Sequence, residues 1–423
     1  MTRGKHVQRN DFIKPRAQDS SRCQALDKKE AFYYIRFEEE IAMPRVPRAE
    51  VFDPDQVCIL HLIQRCVRRS FLTGVDPVSG KDFSFRREWI RARMERLASV
   101  FAIDVLSYAI LSNHIHIVAR NRPDVVKTWS NEQIALRWLR IFPGCHTDEF
   151  LGDPTESQVS ALAGNQERID LIRRRLSDFS WFMKALCEPI ARVANRQDKV
   201  TGHFWEGRFK AQAITDEAGL LACSIYVDLN PIRAAMATSP EQAVNTSAYD
   251  RIQASKGAKI DSSATELVAM PTQEAGRLRR TLTPESLRNR KTESKKRRGT
   301  SMACDAWLSP LPLNERVPVG PQASKFGVRA SDKGFLSMSL SDYVTLLRWV
   351  AVNAMKTGKK VIPKDLQPVL RGMQLDGEIL CDMVKNFKKY FGRGSAAGMS
   401  SSMKEHAASR NRHFIPGQRA IVN

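Results

Sequence analysis

Two histidines separated by one residue are the first side chains whose types and spacing could do chemistry. His114 and His116 follow the Ser112-Asn113 dipeptide, which interrupts a long apolar run. Apolar runs rich in Ile and Val that are broken in this way are typical of two strands joined by a tight turn. Because side chains on a strand alternate between faces, both imidazoles would point the same way. They would make half of a divalent-metal site, or else a pair of solvent-facing histidines.

A phenol and an amide lie together further along the chain. Tyr226 and Asn230 are four residues apart in a predicted helix, so they share one face, and Arg233 continues the same line. Asp216 is a good N-cap for this helix, and Pro231 favours an end at Asn230. A phenol with a free pKa of about 10 is a poor nucleophile until a cation or a base assists it. Its attack on a phosphodiester, with a metal ion on the two imidazoles, would leave a covalent phosphotyrosine that conserves bond energy for rejoining.

The elements that must position these residues follow a recognisable order. Up to Ile214 the pattern predicts strand, helix, strand, strand, helix, strand, with the helices at about 85–100 and 169–193. This order is that of the ferredoxin-like split βαβ arrangement, an α+β fold with a central antiparallel sheet. The histidine strand would lie in the middle of the sheet. Pro189 should kink the second helix, and His61 in the first strand is interpreted as a packed core histidine.

The composition divides the chain into five predicted parts. Residues 1–42 form a basic flexible arm, and residues 43–239 form the catalytic domain with an insertion at about 121–164. Residues 240–335 are a basic low-complexity linker, 336–391 a small helical unit and 392–423 a flexible tail. Between Arg277 and Arg298 there are ten Lys or Arg and two Glu. We interpret that block either as a disordered segment that binds nucleic acid or as a solvated linker.

The charge balance favours a phosphate-rich partner. The 423 residues include 67 Lys or Arg and 46 Asp or Glu, which gives a formal net charge of +21. Such an excess is typical of nucleic-acid binding, because each neutralised phosphate releases counterions. Aromatic residues interleaved with cations at 204–210 suit either base stacking or a packed core. The candidate nucleic-acid-binding residues are Arg65, Arg68, Arg69, Arg208, Lys210 and Arg233.

Cysteine spacing and hydropathy bear on the compartment. The eight cysteines include no C-x-x-C pair, which argues against a zinc ribbon and a disulfide framework. Reduced thiols indicate a cytoplasmic protein. The first residues have no apolar core of a secretory signal, and no run approaches eighteen apolar residues. The sequence therefore predicts neither secretion nor a membrane span.

Three blocks of the chain together resemble the HUH single-strand DNA transposases, in particular the REP-associated tyrosine transposases. The blocks are His114–His116, Gly202–Lys210 and Tyr226–Ala234, and the resemblance extends from about 43 to 236. It implies that His114 and His116 are metal ligands, that Asn230 completes the shell and that Tyr226 is the nucleophile. It also implies Mg²⁺ or Mn²⁺ as the metal, single-stranded DNA beside a hairpin as the substrate, a bacterial, nucleoid-associated location, and a homodimer in some relatives.

Three hypotheses follow. The preferred one is a transposase-like strand transferase that nicks and rejoins single-stranded DNA near hairpins through a 5′-phosphotyrosine, as in DNA transposition. The second is a domesticated relative that binds hairpin DNA or RNA and does not cleave it. The third is a relaxase or a replication initiator, but the chain has no G-x-x-x-x-G-K phosphate-binding motif to support an attached helicase.

Overall fold

The structure is a computed structural model, and it describes residues 51–67, 72–76, 80–142, 153–260, 302–313, 320–354, 361–391 and 394–413. The chain divides into two units, Met1–Arg45 and Val46–Asn423, and every described residue belongs to the second. The predicted arm at 1–42 and the charged block Arg277–Arg298 lie outside the described residues.

A five-stranded sheet organises the described part of the chain. Its strands, in spatial order, are β2 (Ile103–Ile110), β3 (His114–Asn121), β1 (Ile59–Arg65), β4 (Lys210–Ile214) and β7 (Ala396–Ala397). The first four pair antiparallel, and β7 pairs parallel with β4. The predicted α+β class with a central antiparallel sheet is confirmed, and β3 lies inside the sheet as expected.

The two faces of the sheet carry different cores. Leu60, Leu62, Ile115 and Ile117 pack with helix α1 (Arg86–Val100) on one face. The residues between them on β1 and β3 point to the opposite face, because strand side chains alternate. Val118 on that opposite face belongs to a second core, which is formed with the helices after β4. The histidines of β3 therefore lie on the second face, beneath those helices.

The helix predicted at 169–193 is two helices, and the prediction of one kinked helix is wrong. The segments between β3 and β4 are α2 (Pro123–Val126), α3 (Asn131–Ile141), α4 (Glu156–Ala163), α5 (Gln166–Leu176) and α6 (Phe179–Gln197). Asp178 separates the last two, because its carboxylate accepts hydrogen bonds from the backbone N–H groups of Ser180 and Trp181. A side-chain cap of this kind begins a new helix without disturbing the apolar spacing.

Helix α7 (Glu217–Arg233) carries the tyrosine block. Asp216 caps it as predicted, since its Oδ1 accepts a hydrogen bond of 2.7 Å from the Gly219 N–H. The helix does not end at Asn230 but continues through Pro231 for another turn. Proline removes only its own backbone donor, and the Ala234 N–H still bonds to the Asn230 carbonyl at 2.9 Å.

The C-terminal part of the chain packs against α7. It comprises α8 (Ser247–Ser255), the pair β5 (Lys259–Ile260) and β6 (Met302–Ala303), α9 (Leu340–Asn353), a 3₁₀ turn (Lys364–Leu366), α10 (Gln367–Gly372), α11 (Gly377–Lys385), α12 (Phe387–Phe391) and α13 (Ser400–Ser409). Residues 394–413, in the segment predicted as a tail, include β7 and α13. Leu347, Leu380 and Phe387 share the second core with Leu221 and Ile225 of α7. Among the described residues, no helix is long and apolar enough to cross a membrane.

Candidate active site

The two histidines of β3 lie side by side on the second face of the sheet. The ring centroids of His114 and His116 are 4.8 Å apart. Asn113, in the turn before β3, places its Oδ1 2.6 Å from His114 Nδ1. An amide oxygen only accepts hydrogen bonds, so Nδ1 of His114 carries the proton and Nε2 keeps its lone pair.

A third histidine, His61 of β1, lies on the same face. Its Nε2 is 2.8 Å from His116 Nδ1, and the two rings are nearly parallel, with centroids 5.1 Å apart. Both side chains are buried. The remaining ring nitrogen of His116, Nε2, is also buried and has no hydrogen-bond partner in the described part of the chain. His61 is a buried core residue, as the sequence predicts. Its contact with the candidate ligand His116 was not predicted from the sequence.

Burial keeps all three imidazoles neutral. Desolvation lowers the pKa of His61 to about 3, with a smaller contribution from His114. Desolvation, aided by the nearby Arg65 cation, lowers the pKa of His114 to about 4. The pKa of His116 is lowered well below its usual value, chiefly by desolvation. Neutral imidazole is the form that binds a metal ion.

Helix α7 brings Tyr226 to the histidines. The Tyr226 ring lies edge-on to the His116 ring, with centroids 5.9 Å apart. Burial raises the pKa of the phenol, while the Arg233 cation and the Asn230 amide lower it. The amide nitrogen of Asn230 is buried and makes no hydrogen bond of ordinary geometry to any described residue. The amide is nevertheless close enough to the phenol to lower its pKa. The predicted nucleophile Tyr226 thus lies beside the predicted ligand His116, and the Asn230 amide lies beside the phenol.

Helix α12 covers this group of side chains. Phe387 stacks on Tyr226 with centroids 3.5 Å apart and rings within 5° of parallel. Phe391 stacks in turn on Phe387 at 4.3 Å. Arg233 donates hydrogen bonds to the carbonyls of Val384 (2.9 Å) and Lys385 (3.4 Å) at the end of α11. The tyrosine helix and the C-terminal helices are therefore joined at the site itself.

The described cations among the predicted nucleic-acid-binding residues lie in three places. Arg65 lies opposite His114 in the β1–β3 register, and Lys210 lies opposite Ile63, which in turn pairs with His116. Directly opposed residues share a face, so both cations flank the histidines. Arg208 is exposed just before β4. Arg233 lies over the Tyr226 ring, 5.3 Å from its centroid. Arg68 and Arg69 lie outside the described residues.

The donors at the site fit an open metal centre more closely than a closed one. In the described ranges, no three His, Cys, Asp or Glu side chains converge to hold an ion. Two neutral imidazoles and the amide of Asn230 are present, and the buried Nε2 of His116 has no partner. A divalent ion held by few protein ligands keeps positions for water and for phosphate oxygens, which suits phosphate chemistry.

The aromatic residues at 204–210 belong to the core. Phe204 and Phe209 are buried, and Trp205 packs against the first core while its Nε1 donates a 2.9 Å hydrogen bond to the Cys187 carbonyl. Of the two interpretations of these rings, the structure supports packing.

A buried carboxylate in α7 was not singled out from the sequence. Asp228 accepts hydrogen bonds from Ser247 Oγ, from the Ala248 N–H at 2.9 Å and from the Tyr343 hydroxyl at 2.6 Å. It thereby joins α7 to α8 and α9. The sequence feature that could have identified Asp228 is an acidic residue placed directly between the apolar residues Val227 and Leu229 of the predicted helix.

Comparisons with known proteins give one structural similarity. Neither the models of protein families nor the curated proteins match the chain. Among solved structures, the chain is similar to a REP-associated tyrosine transposase bound to a REP hairpin, with 10% sequence identity and a TM-score of 0.28. The similarity covers 46% of this chain and 79% of that one. At this level it carries no conclusion about chemistry, which must come from the residues of the site.

Proposed function

We propose that this chain nicks and rejoins single-stranded DNA near hairpins, with Tyr226 as the nucleophile. His114, His116 and Asn230 would hold Mg²⁺ or Mn²⁺. The observation that supports this most directly is the meeting of three rings on one face of the sheet. The His114 and His116 centroids are 4.8 Å apart, and the Tyr226 centroid is 5.9 Å from that of His116.

The reaction is an in-line displacement at phosphorus. The phenolic oxygen of Tyr226 forms a bond to phosphorus while the bond from phosphorus to the 3′ oxygen breaks. The phenolic proton passes to water, and the departing 3′ oxygen takes up a proton. The product is a 5′-phosphotyrosine, and attack by a free 3′-hydroxyl reverses the step and rejoins a strand. A bound divalent ion supplies charge stabilisation at the phosphate oxygens.

The surrounding residues favour this chemistry. Arg233 lies over the Tyr226 ring and lowers the pKa of the phenol against the effect of burial, which favours the anionic nucleophile. Arg65, which pairs with Glu206 at 3.3 Å, and Lys210 lie beside the histidines on the same face. Cations at this position would contact a phosphate backbone that enters the site. The formal net charge of +21 favours the same partner.

The test is covalent capture. The full chain is incubated with single-stranded hairpin oligonucleotides and Mn²⁺, and a protein–DNA adduct is sought on a denaturing gel. Tyr226→Phe should abolish the adduct and leave DNA affinity largely unchanged. Tyr249→Phe, which changes a half-buried tyrosine of α8, is the matched control and should capture DNA as the unaltered chain does. Unchanged nicking by Tyr226→Phe would remove Tyr226 from the mechanism.

A second candidate function is hairpin binding without cleavage, of DNA or of RNA. The observation that favours it is the stacking of Phe387 on Tyr226, with ring centroids 3.5 Å apart. This contact makes the Tyr226 ring a packing partner of the protein's own core. This function predicts tight hairpin binding with no adduct, and equal binding with and without Mn²⁺. The capture experiment therefore separates the two candidates.

A further inference from the structure

We propose that His61 is a positioning residue that fixes the tautomer and ring orientation of His116 so that His116 Nε2 can bind the metal ion. This inference rests on the proposed function. It begins from the hydrogen bond between His61 Nε2 and His116 Nδ1, which is 2.8 Å long and joins two buried rings.

A hydrogen bond between two imidazole nitrogens has one nitrogen as donor and the other as acceptor, so this buried bond can be made in two ways. In the first, His61 Nε2–H donates, His116 Nδ1 accepts, and the proton of His116 is on Nε2. That proton would be buried with no acceptor among the described residues. In the second, His116 Nδ1–H donates to His61, and the lone pair of His116 is on Nε2. Only the second arrangement leaves His116 ready to bind a cation.

The neighbouring predicted ligand, His114, is also protonated on Nδ1 by a hydrogen bond to an acceptor. His114 Nδ1 lies 2.6 Å from the side-chain oxygen of Asn113, which holds the proton on Nδ1 and leaves Nε2 as the donor to a metal. His61 does for His116 what Asn113 does for His114. Two adjacent imidazoles are thus set in the same tautomer by two different acceptors on two different elements, the β2–β3 turn and β1.

His61 is itself held in place and is not free to act as a third ligand. Its Nε2 is used by His116, and its ring is packed edge-on against Phe387, with centroids 5.7 Å apart. The antiparallel register places Gln212 of β4 opposite His61 on the same face. A ring confined in this way can hold the His116 imidazole in one orientation, which is what a ligand needs from the residue behind it.

The experiment measures Mn²⁺ binding by the full chain without DNA, by electron paramagnetic resonance of the free ion. His61→Phe keeps an aromatic ring at this position and removes the acceptor, so the affinity should fall about 10- to 100-fold, the usual loss when the partner of a ligand is removed. His61→Gln restores an acceptor oxygen, so most of the affinity should return. His203→Ala, at an exposed histidine in the turn before β4, is the control and should bind as the unaltered chain does.

A second measurement does not depend on a variant folding. Imidazole ¹⁵N shifts of the unaltered, metal-free chain should show His116 protonated on Nδ1, and protonation on Nε2 would overturn the inference. In the binding series, His61→Phe that is folded and binds Mn²⁺ with unchanged affinity would also overturn it. If His116→Ala binds Mn²⁺ as well as the unaltered chain, the proposed metal site itself is wrong and the inference falls with it.

Discussion

The pKa values of individual residues at the site are set by competition between burial and neighbouring charge. Desolvation raises the pKa of the Tyr226 phenol and lowers that of each histidine, so both kinds of group are driven towards their neutral forms. Only for the phenol does this oppose the proposed role, since the attacking species is the anion. Arg233, over the ring, is the main group that offsets it.

The first prediction concerns that arginine. Arg233→Leu removes the cation, so the pKa of Tyr226 should rise and adduct formation should move to higher pH. The measurement is the pH profile of covalent capture. Arg192→Leu is a suitable control, because Arg192 is exposed on α6 and pairs with Glu188. A profile that does not move in Arg233→Leu would show that the guanidinium does not activate the phenol.

The second prediction concerns stability at acid pH. The folded-state pKa values of His114 and His61 are about 4 and about 3, below the ordinary value of 6.5. Between the folded-state pKa and pH 6.5, the unfolded chain therefore binds more protons than the folded chain. The free energy of unfolding should therefore fall as the pH is lowered through 6.5. By pH 5 each histidine should account for about 2 kcal/mol of that loss. Urea unfolding in a chelating buffer measures it, and His114→Gln should flatten the dependence; an unchanged slope would contradict the assignment.

At the scale of elements, helix α7 meets the C-terminal helices α11 and α12 at the site. Phe387 of α12 is stacked between Tyr226 and Phe391, and Arg233 of α7 bonds to the carbonyl end of α11. Asp216, the cap of α7, also accepts a 2.6 Å hydrogen bond from the Met399 N–H just after β7. The position of the tyrosine helix is thus set by contacts with Val384, Phe387 and Met399 as well as by the sheet beneath it.

The third prediction tests this stack. Phe387→Ala should lower the free energy of unfolding by about 3–5 kcal/mol, as the loss of a buried phenylalanine does. It should also lower the pKa of Tyr226, because the phenol becomes less buried, and ultraviolet titration of the phenol would detect the change. Phe326→Ala, at a ring that is 76% exposed, is the control and should do neither. A stable Phe387→Ala chain with an unaltered phenol would show that the stack does not shape the site.

The elements differ in how far the sequence alone predicts them. Strands β1 to β4, helix α1 and the cap of α7 follow from local periodicity and from Asp216. The break at Asp178 does not, because the apolar spacing runs through it unchanged. Strand β7 has only two alanines and no local signal, and it exists because β4 offers an edge. The contact of His61 with His116 requires the β1–β3 register, which joins residues 55 positions apart.

At the scale of the whole molecule, the two faces of the sheet carry different residues, and in the proposed function this difference determines which face meets nucleic acid. Helices α1 and α6 cover the first face with a core that contains no candidate ligand. The histidines, Tyr226 and the flanking cations Arg65 and Lys210 are all on the second face. A nucleic acid that reaches the site therefore approaches from the side of α7.

The fourth prediction follows from this placement. Binding of a single-stranded oligonucleotide should weaken with salt, and each lost phosphate contact should reduce the slope of log K against log salt by about 0.7. Arg65→Ala and Lys210→Ala should each do so in fluorescence anisotropy titrations. Arg192→Ala, on the opposite side of the sheet, should leave the slope unchanged. Equal slopes in all three variants would place the nucleic acid elsewhere.

The late position of β7 has a consequence for how the protein is made. Thr215, just after β4, and Ala397 of β7 are hydrogen-bonded across 182 positions of the chain. A ribosome adding about 5–20 residues per second needs on the order of 10–40 s to span that interval. For that time the nascent polypeptide holds an unpaired edge at β4 and an uncovered apolar side on α7, which is the kind of surface that chaperones bind.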